Sequence, residues 1–232
     1  MSEVLLRRSG QRPQTRTDWL DSRHSFSFGH HYDPQWMGFG ALRVINDDRV
    51  AGGGGFPPHR HANMEIISIV LEGALAHRDS TGTQGVIRAG DVQWMSAGHG
   101  IEHSEFNDSP DAPVHFLQIW IQPDQVNAPP AYAQQAFDPA LREGRWQDLV
   151  GGSGIAIRQD ARIRAIRLAA GASVALDVAA GRGLWLQVLE GALTIAGEDI
   201  ASGDGIGLEG PRDGLVLQAG EASEVLSFDV PR

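Results

Sequence analysis

Val70-Leu71-Glu72-Gly73-Ala74-Leu75 recurs as Val188-Leu189-Glu190-Gly191-Ala192-Leu193, 118 residues further along the chain. The same ungapped offset sets Gly53 on Gly171, and each copy later reaches a Gly-Asp pair, Gly90-Asp91 and Gly203-Asp204. A repeat carried by one offset, with matching strand patterns around it, marks a duplicated unit, so the chain reads as two related modules in tandem. Short apolar runs bounded by Gly, Pro, Asn and Asp predict strands almost throughout: Ala41 to Ile45, Ile66 to Leu71, Val114 to Ile121, Arg162 to Leu168, Leu184 to Leu189 and Val225 to Val230. Many short strands separated by turn residues point to an all-β protein built from barrels or sandwiches. The proline-rich, polar stretch from Pro123 to Gly152 reads as the connection, with a helical scrap near Pro139 to Arg145. The expected division is therefore a first module at 1–122, a linker at 123–152 and a second module at 153–232.

Composition narrows the chemistry. The 232 residues, 41% of them hydrophobic, suffice for an ordinary core. No run is long enough for a signal-peptide core or a membrane span, which places the protein in the cytoplasm with no membrane partner. The absence of cysteine excludes disulfides, thiolate ligands and cysteine nucleophiles. All nineteen basic residues are arginine, which excludes a lysine Schiff base and a phosphate-loop lysine. A net charge of −10 argues against direct nucleic-acid binding.

Two short motifs carry the functional signal. His59-Arg60-His61 and His103-Ser104-Glu105 each place two ligand-type residues at i and i+2, and on a strand such residues point to the same face. Three imidazoles and a carboxylate aimed at one point make a metal site that suits Fe(II), Mn, Co, Ni, Cu or Zn better than Mg or Ca. Glu65, four residues after His61, competes with Glu105 for the carboxylate position, and spacing alone leaves that choice open. The offset of 118 sets His59 on Asp177, His61 on Ala179 and Glu65 on Gly183, so the second module cannot repeat the site. Among the other histidines, His77 reads as a surface or hydrogen-bonded residue and His99 as a loop residue able to orient a substrate. His115 reads as a satisfied core histidine, and His24, His30 and His31 as non-ligands. Phe26, Phe28, Phe56, Trp94 and Met95 are candidates to wall an aromatic pocket.

Gly53, His59-x-His61 and Glu65 resemble the first motif of the cupin family, and Gly98-His99-Gly100-Ile101-Glu102-His103-Ser104-Glu105-Phe106-Asn107 resembles the second, with Gly98 where that motif has proline. Ser25-Phe26-Ser27-Phe28, Tyr32-Asp33-Pro34, Leu42 to Asp48, Gly55 to His61 and Gln93 to Gly98 narrow the resemblance to the bacterial pirins, the two-cupin group that includes pirin-like quercetin 2,3-dioxygenases. The resemblance implies two jelly-roll-like cupin barrels, one divalent metal ion, most often iron, held by His59, His61, His103 and Glu105, and an empty second cupin. It also decides the carboxylate in favour of Glu105 and leaves Glu65 a supporting role. The activity it implies is metal-dependent cleavage of a flavonol such as quercetin by O2, with Glu105 as the catalytic residue that takes or holds the hydroxyl proton. The rival expectation is a regulatory protein that reads the state of its metal and acts through a protein partner.

Overall fold

The computed structural model describes residues 4–232. The first strands are β1 (Val4–Arg7), β2 (Gln14–Arg16), β3 (Leu20–His24), β4 (Leu42–Val50), β5 (Gly55–His61), β6 (Glu65–Glu72), β7 (Ala74–Asp79), β8 (Gln84–Arg88), β9 (Asp91–Ser96), β10 (Ile101–Asn107) and β11 (Val114–Ile121). The connection contributes β12 (Ala131–Ala136) and β13 (Gln147–Val150). The second half holds β14 (Arg162–Leu168), β15 (Ser173–Val178), β16 (Arg182–Glu190), β17 (Ala192–Ile195), β18 (Glu198–Ala201), β19 (Gly205–Glu209), β20 (Arg212–Ala219) and β21 (Ser223–Pro231). The helical scrap is one 3-10 turn, Pro139–Arg142, started by the Asp138 carboxylate accepting from the Ala140 N–H. No helix among the described residues is long and apolar enough to cross a membrane.

The duplication is visible in the sheets. A seven-stranded sheet, β12-β9-β6-β11-β4-β3-β2, faces a four-stranded sheet, β5-β10-β7-β8. A six-stranded sheet, β1-β19-β16-β21-β14-β13, and a four-stranded one, β15-β20-β17-β18, repeat that order in the second half. These are two tandem cupin barrels, an all-β bicupin.

Strand pairing crosses the boundaries drawn from sequence. β1, at the start of the chain, pairs with β19 of the second barrel, from Val4 opposite Leu208 to Arg7 opposite Gly205. β12 and β13, inside the stretch read as a linker, extend the first and second large sheets respectively. Each large sheet thus takes an edge strand from outside its own repeat, which covers an otherwise open row of N–H and C=O groups.

Three kinds of core follow from the patterning. The first barrel is filled by Leu20, Val50, Val70, Leu75, Ile87, Val114 and Phe116. The second barrel is packed with aliphatic residues such as Leu176, Leu186, Val188, Leu193, Ile206 and Leu217. The largest cluster lies between the barrels, where Ile67, Ile69, Leu117 and Ile119 meet Ile163, Ala165, Trp185, Leu226 and Phe228. The seven-stranded sheet is therefore covered on both faces, which is why Glu65 to Val70 are buried without alternation.

β1 supplies Leu6 to the second barrel's core and Leu5 to the cluster between the barrels. Replacing Leu6 by alanine should lower unfolding stability by about 1–3 kcal/mol in a urea titration while leaving metal binding by the first barrel unchanged.

Candidate metal centre

The site is built on β5 and β10. His103 pairs directly with His59, and Ile101 with His61, but the register slips between His103 and Glu105 because Glu105 faces Phe56. Three residues on β5 thus span two on β10, a β-bulge at Pro57-Pro58. Proline cannot donate to the ladder, so a Pro-Pro step is tolerated here on an edge strand and bends it. The bulge brings His59, His61 and His103 together, with one ring nitrogen from each lying within 4.8 Å of the others. Ring centroids are 4.4 Å apart for His59 and His103, 4.8 Å for His59 and His61, and 5.0 Å for His61 and His103.

His59 Nδ1 is 2.8 Å from the Pro57 carbonyl, which fixes that nitrogen as the donor and leaves Nε2 free. His103 is buried and neither of its ring nitrogens has a hydrogen-bond partner. Burial, reinforced by the neighbouring imidazoles, pushes His61 and His103 down to about 3. Three crowded imidazoles, with ring nitrogens free of hydrogen bonds, fit a divalent ion of borderline softness. This is the one group of three or more metal-ligating side chains so arranged among the described residues.

Glu105 stands apart from that trio. It is buried, and its carboxylate accepts from Ser68 Oγ at 3.1 Å and Gln118 Nε2 at 2.8 Å, while burial raises its pKa. A carboxylate has about four acceptor positions, so these two bonds do not exhaust it. Glu65 lies on the other face of its strand. The turn at Asn63, with φ of 52°, separates β5 from β6, so Glu65 shares the side of Ile67 and Ile69 and points toward the second barrel. There its carboxylate accepts from Trp94 Nε1 at 2.7 Å, Ser96 Oγ at 2.6 Å and the Arg158 N–H at 3.0 Å, tying the connection to the first barrel.

His77 departs from its expected place. Leu75, His77 and Asp79 are the inward residues of β7, so His77 is buried, without a partner for either nitrogen, with its ring 5.4 Å from His103. His99 is exposed and away from the cavity. His115 is satisfied by Asp47 at 2.7 Å, on the face toward the second barrel rather than the barrel interior. Gly98 stands where the cupin motif has proline because its φ is +49° and a Cβ would run into the Ala128 carbonyl.

The histidines open onto a small cavity of about 90 Å³ with mainly apolar walls. Phe28 and Phe56 line it, as expected, together with Leu20, Ile66 and Trp120. Phe26 instead packs on Trp185 at 4.9 Å, and Trp94 and Met95 join apolar clusters. Trp120 was not expected. Its ring is 4.9 Å from His61 and its indole N–H is unpaired. Across the seven-stranded sheet, His24, Asn46, Gln118, Ser68 and Gln93 stand opposite one another in turn, forming a buried polar row behind the cavity.

Asp48, also on the cavity wall, is pushed up to about 7, chiefly by burial. Because its folded pKa lies above the ordinary aspartate value of 3.8, its contribution to stability is complete below pH 3.8 and lost as pH rises through about 7. In the metal-free protein, the melting temperature of Asp48→Asn relative to wild type should therefore climb from pH 4 to about pH 7 and level off above it, as differential scanning calorimetry would show.

Comparison with known proteins agrees with this architecture. Residues 6–121 match the Pirin family and residues 151–230 match the quercetinase C-terminal cupin domain. A protein of Escherichia coli K12 named quercetin 2,3-dioxygenase is 40% identical over 232 residues, spanning 98% of this chain and 99% of its own. The crystal structure of YhhW from Escherichia coli superimposes with a TM-score of 0.94 at 39% identity, covering 99% of this chain and 98% of that one. The bacterial pirin YhhW in complex with nickel(II) gives 0.92 at 38% identity, covering 99% of both chains. A first barrel matched from end to end, and a relative this similar over nearly the full length of both proteins, place the chain in the pirin family.

Proposed function

We propose that the protein is a metal-dependent dioxygenase that opens a flavonol such as quercetin with O2 and releases carbon monoxide. The observation that carries this reading is the meeting of three hydrogen-bond-free imidazole nitrogens at the wall of a cavity lined by Phe28, Phe56, Leu20, Ile66 and Trp120. His59, His61 and His103 are proposed to hold one divalent ion, with Glu105 as fourth ligand or as a base beside it. Fe(II) is the ion the family resemblance favours, and the nickel(II) complex of the Escherichia coli pirin supports a centre that accepts borderline divalent metals. When bound, such an ion supplies Lewis acidity and a redox partner for O2.

The chain's own residues supply the remainder. Glu105, held in the interior by Ser68 and Gln118, is the residue proposed to accept the proton of an enolic hydroxyl brought to the histidines. Phe28, Phe56, Leu20 and Ile66 give flat apolar walls that fit an aromatic ring and keep water from a reactive carbanionic carbon. Trp120 offers its unpaired N–H to a carbonyl lying beside His61. His59 and His61 are partly exposed, which supports access to the centre from solvent, as turnover requires.

Oxygen-electrode measurements test the reading. Metal-loaded wild type should consume O2 with quercetin, and His103→Ala should lose metal and activity together. Glu105→Gln should fall by about 100-fold or more in rate or metal affinity, whereas Glu65→Gln should keep its metal and lose mainly stability, by about 1–3 kcal/mol. Fully loaded protein with no uptake above a free-metal control across flavonols and related phenols would refute the enzyme reading.

A further inference from the structure

The cavity wall opposite the histidines carries hydrogen-bonding capacity that the protein does not use. Asn46 and Asp48 alternate on β4 with Ile45 and Asp47, so both point into the first barrel, and both line the cavity. Asp48 is 2% exposed, and its Oδ1 has no hydrogen-bond partner. Asn46 is 3% exposed and is held in one orientation. His24 Nδ1–H donates to Asn46 Oδ1 at 2.8 Å, and His24 Nε2 accepts from the Thr15 hydroxyl at 2.8 Å. With Oδ1 committed to His24, the Asn46 Nδ2 amine remains as a donor, and no described residue accepts from it.

A buried acceptor left without a partner costs about 1–3 kcal/mol, and one beside a fixed donor is a strong claim on a ligand. A hydroxyl satisfies both at once, because it donates one hydrogen bond and accepts another. An ether or methyl group would leave Asp48 Oδ1 unpaired. The surrounding Leu20, Phe28 and Phe56 select a hydroxyl carried on an aromatic ring. We propose that Asn46 and Asp48 form a hydroxyl-reading subsite that takes a phenolic hydroxyl of the substrate other than the one presented to the histidines, with Asp48 Oδ1 accepting from it and Asn46 Nδ2 donating to it.

The inference rests on the phenolic reading of the site and adds that a polyhydroxylated substrate is preferred. It gives His24 and Thr15 a role as the pair that orients Asn46. Titration calorimetry on the metal-loaded protein tests it with quercetin and with 3-hydroxyflavone, which keeps the 3-hydroxyl and lacks the ring hydroxyls. Wild type should bind quercetin about tenfold or more tightly than 3-hydroxyflavone. In Asp48→Leu the ratio should collapse toward one, and in Asp48→Asn, which retains a carbonyl acceptor, most of it should return. Asn46→Ala removes the donor half by a separate substitution and should lower the ratio about threefold or more. Equal binding of the two flavonols by wild type, or a ratio untouched by Asp48→Leu and Asn46→Ala, would overturn the subsite. If wild type binds neither flavonol, the flavonol reading falls on its own, and phenol against anisole decides the subsite. Tighter binding of phenol in wild type that disappears in Asp48→Leu supports it, and equal binding of the two in wild type overturns it.

Discussion

The seven-stranded sheet has to be buried on both faces, and the rest of the molecule is arranged around that requirement. Its outer face, with Ile67, Ile69, Leu117 and Ile119, is apolar and would be exposed without the second barrel. Its inner face carries the polar row from His24 to Gln93, which is stable only because a cavity, Glu105 and cross-strand partners receive it. Side chains alternate with a period of two, so a one-residue slip in β6 or β11 would drive Ser68 and Gln118 into the contact between the barrels and Ile67 and Leu117 into the cavity. The docking of the two barrels and the polarity of the site are thus consequences of a single register.

This division of labour accounts for the contrast between the repeats. The second barrel keeps the strand order of the first but fills its interior with Leu, Val and Ile, and the position of His59 is taken by Asp177, whose carboxylate accepts from the Gly214 N–H at 2.7 Å. A second solvated site there would weaken the core against which the first barrel leans. In the first barrel, Asp48, His77 and His103 all retain buried atoms without protein partners, the concentration of unmet polar groups expected where a protein has traded stability for binding and chemistry.

Much of this was legible in the sequence, and the remainder was hidden for specific reasons. The hexapeptide repeat announced the duplication, and the two ligand pairs announced the histidine site, since both are local signals of fixed spacing. The strand exchange through β1 was not legible because Val4 to Arg7 has no feature that names its partner; only tertiary packing on β19 does. Glu65 was ambiguous because four residues from His61 would share a face in an unbroken strand, and the positive φ at Asn63 breaks it. The burial of His77 is not legible because the rings it packs against, His103 and Tyr132, come from other strands. Trp120, Asn46 and Asp48 are hidden for the same reason: residues that meet across a sheet leave no periodic mark along the chain.

The central claim is that one divalent ion sits among His59, His61 and His103. X-ray absorption at the metal edge, on protein loaded with a single equivalent, addresses it without relying on turnover. The account predicts a nitrogen and oxygen shell near 2.0–2.2 Å with outer-shell scattering from three imidazoles, reduced to two in His61→Ala. An unperturbed spectrum in that variant, or a shell of oxygen atoms with no imidazole signature, would contradict it.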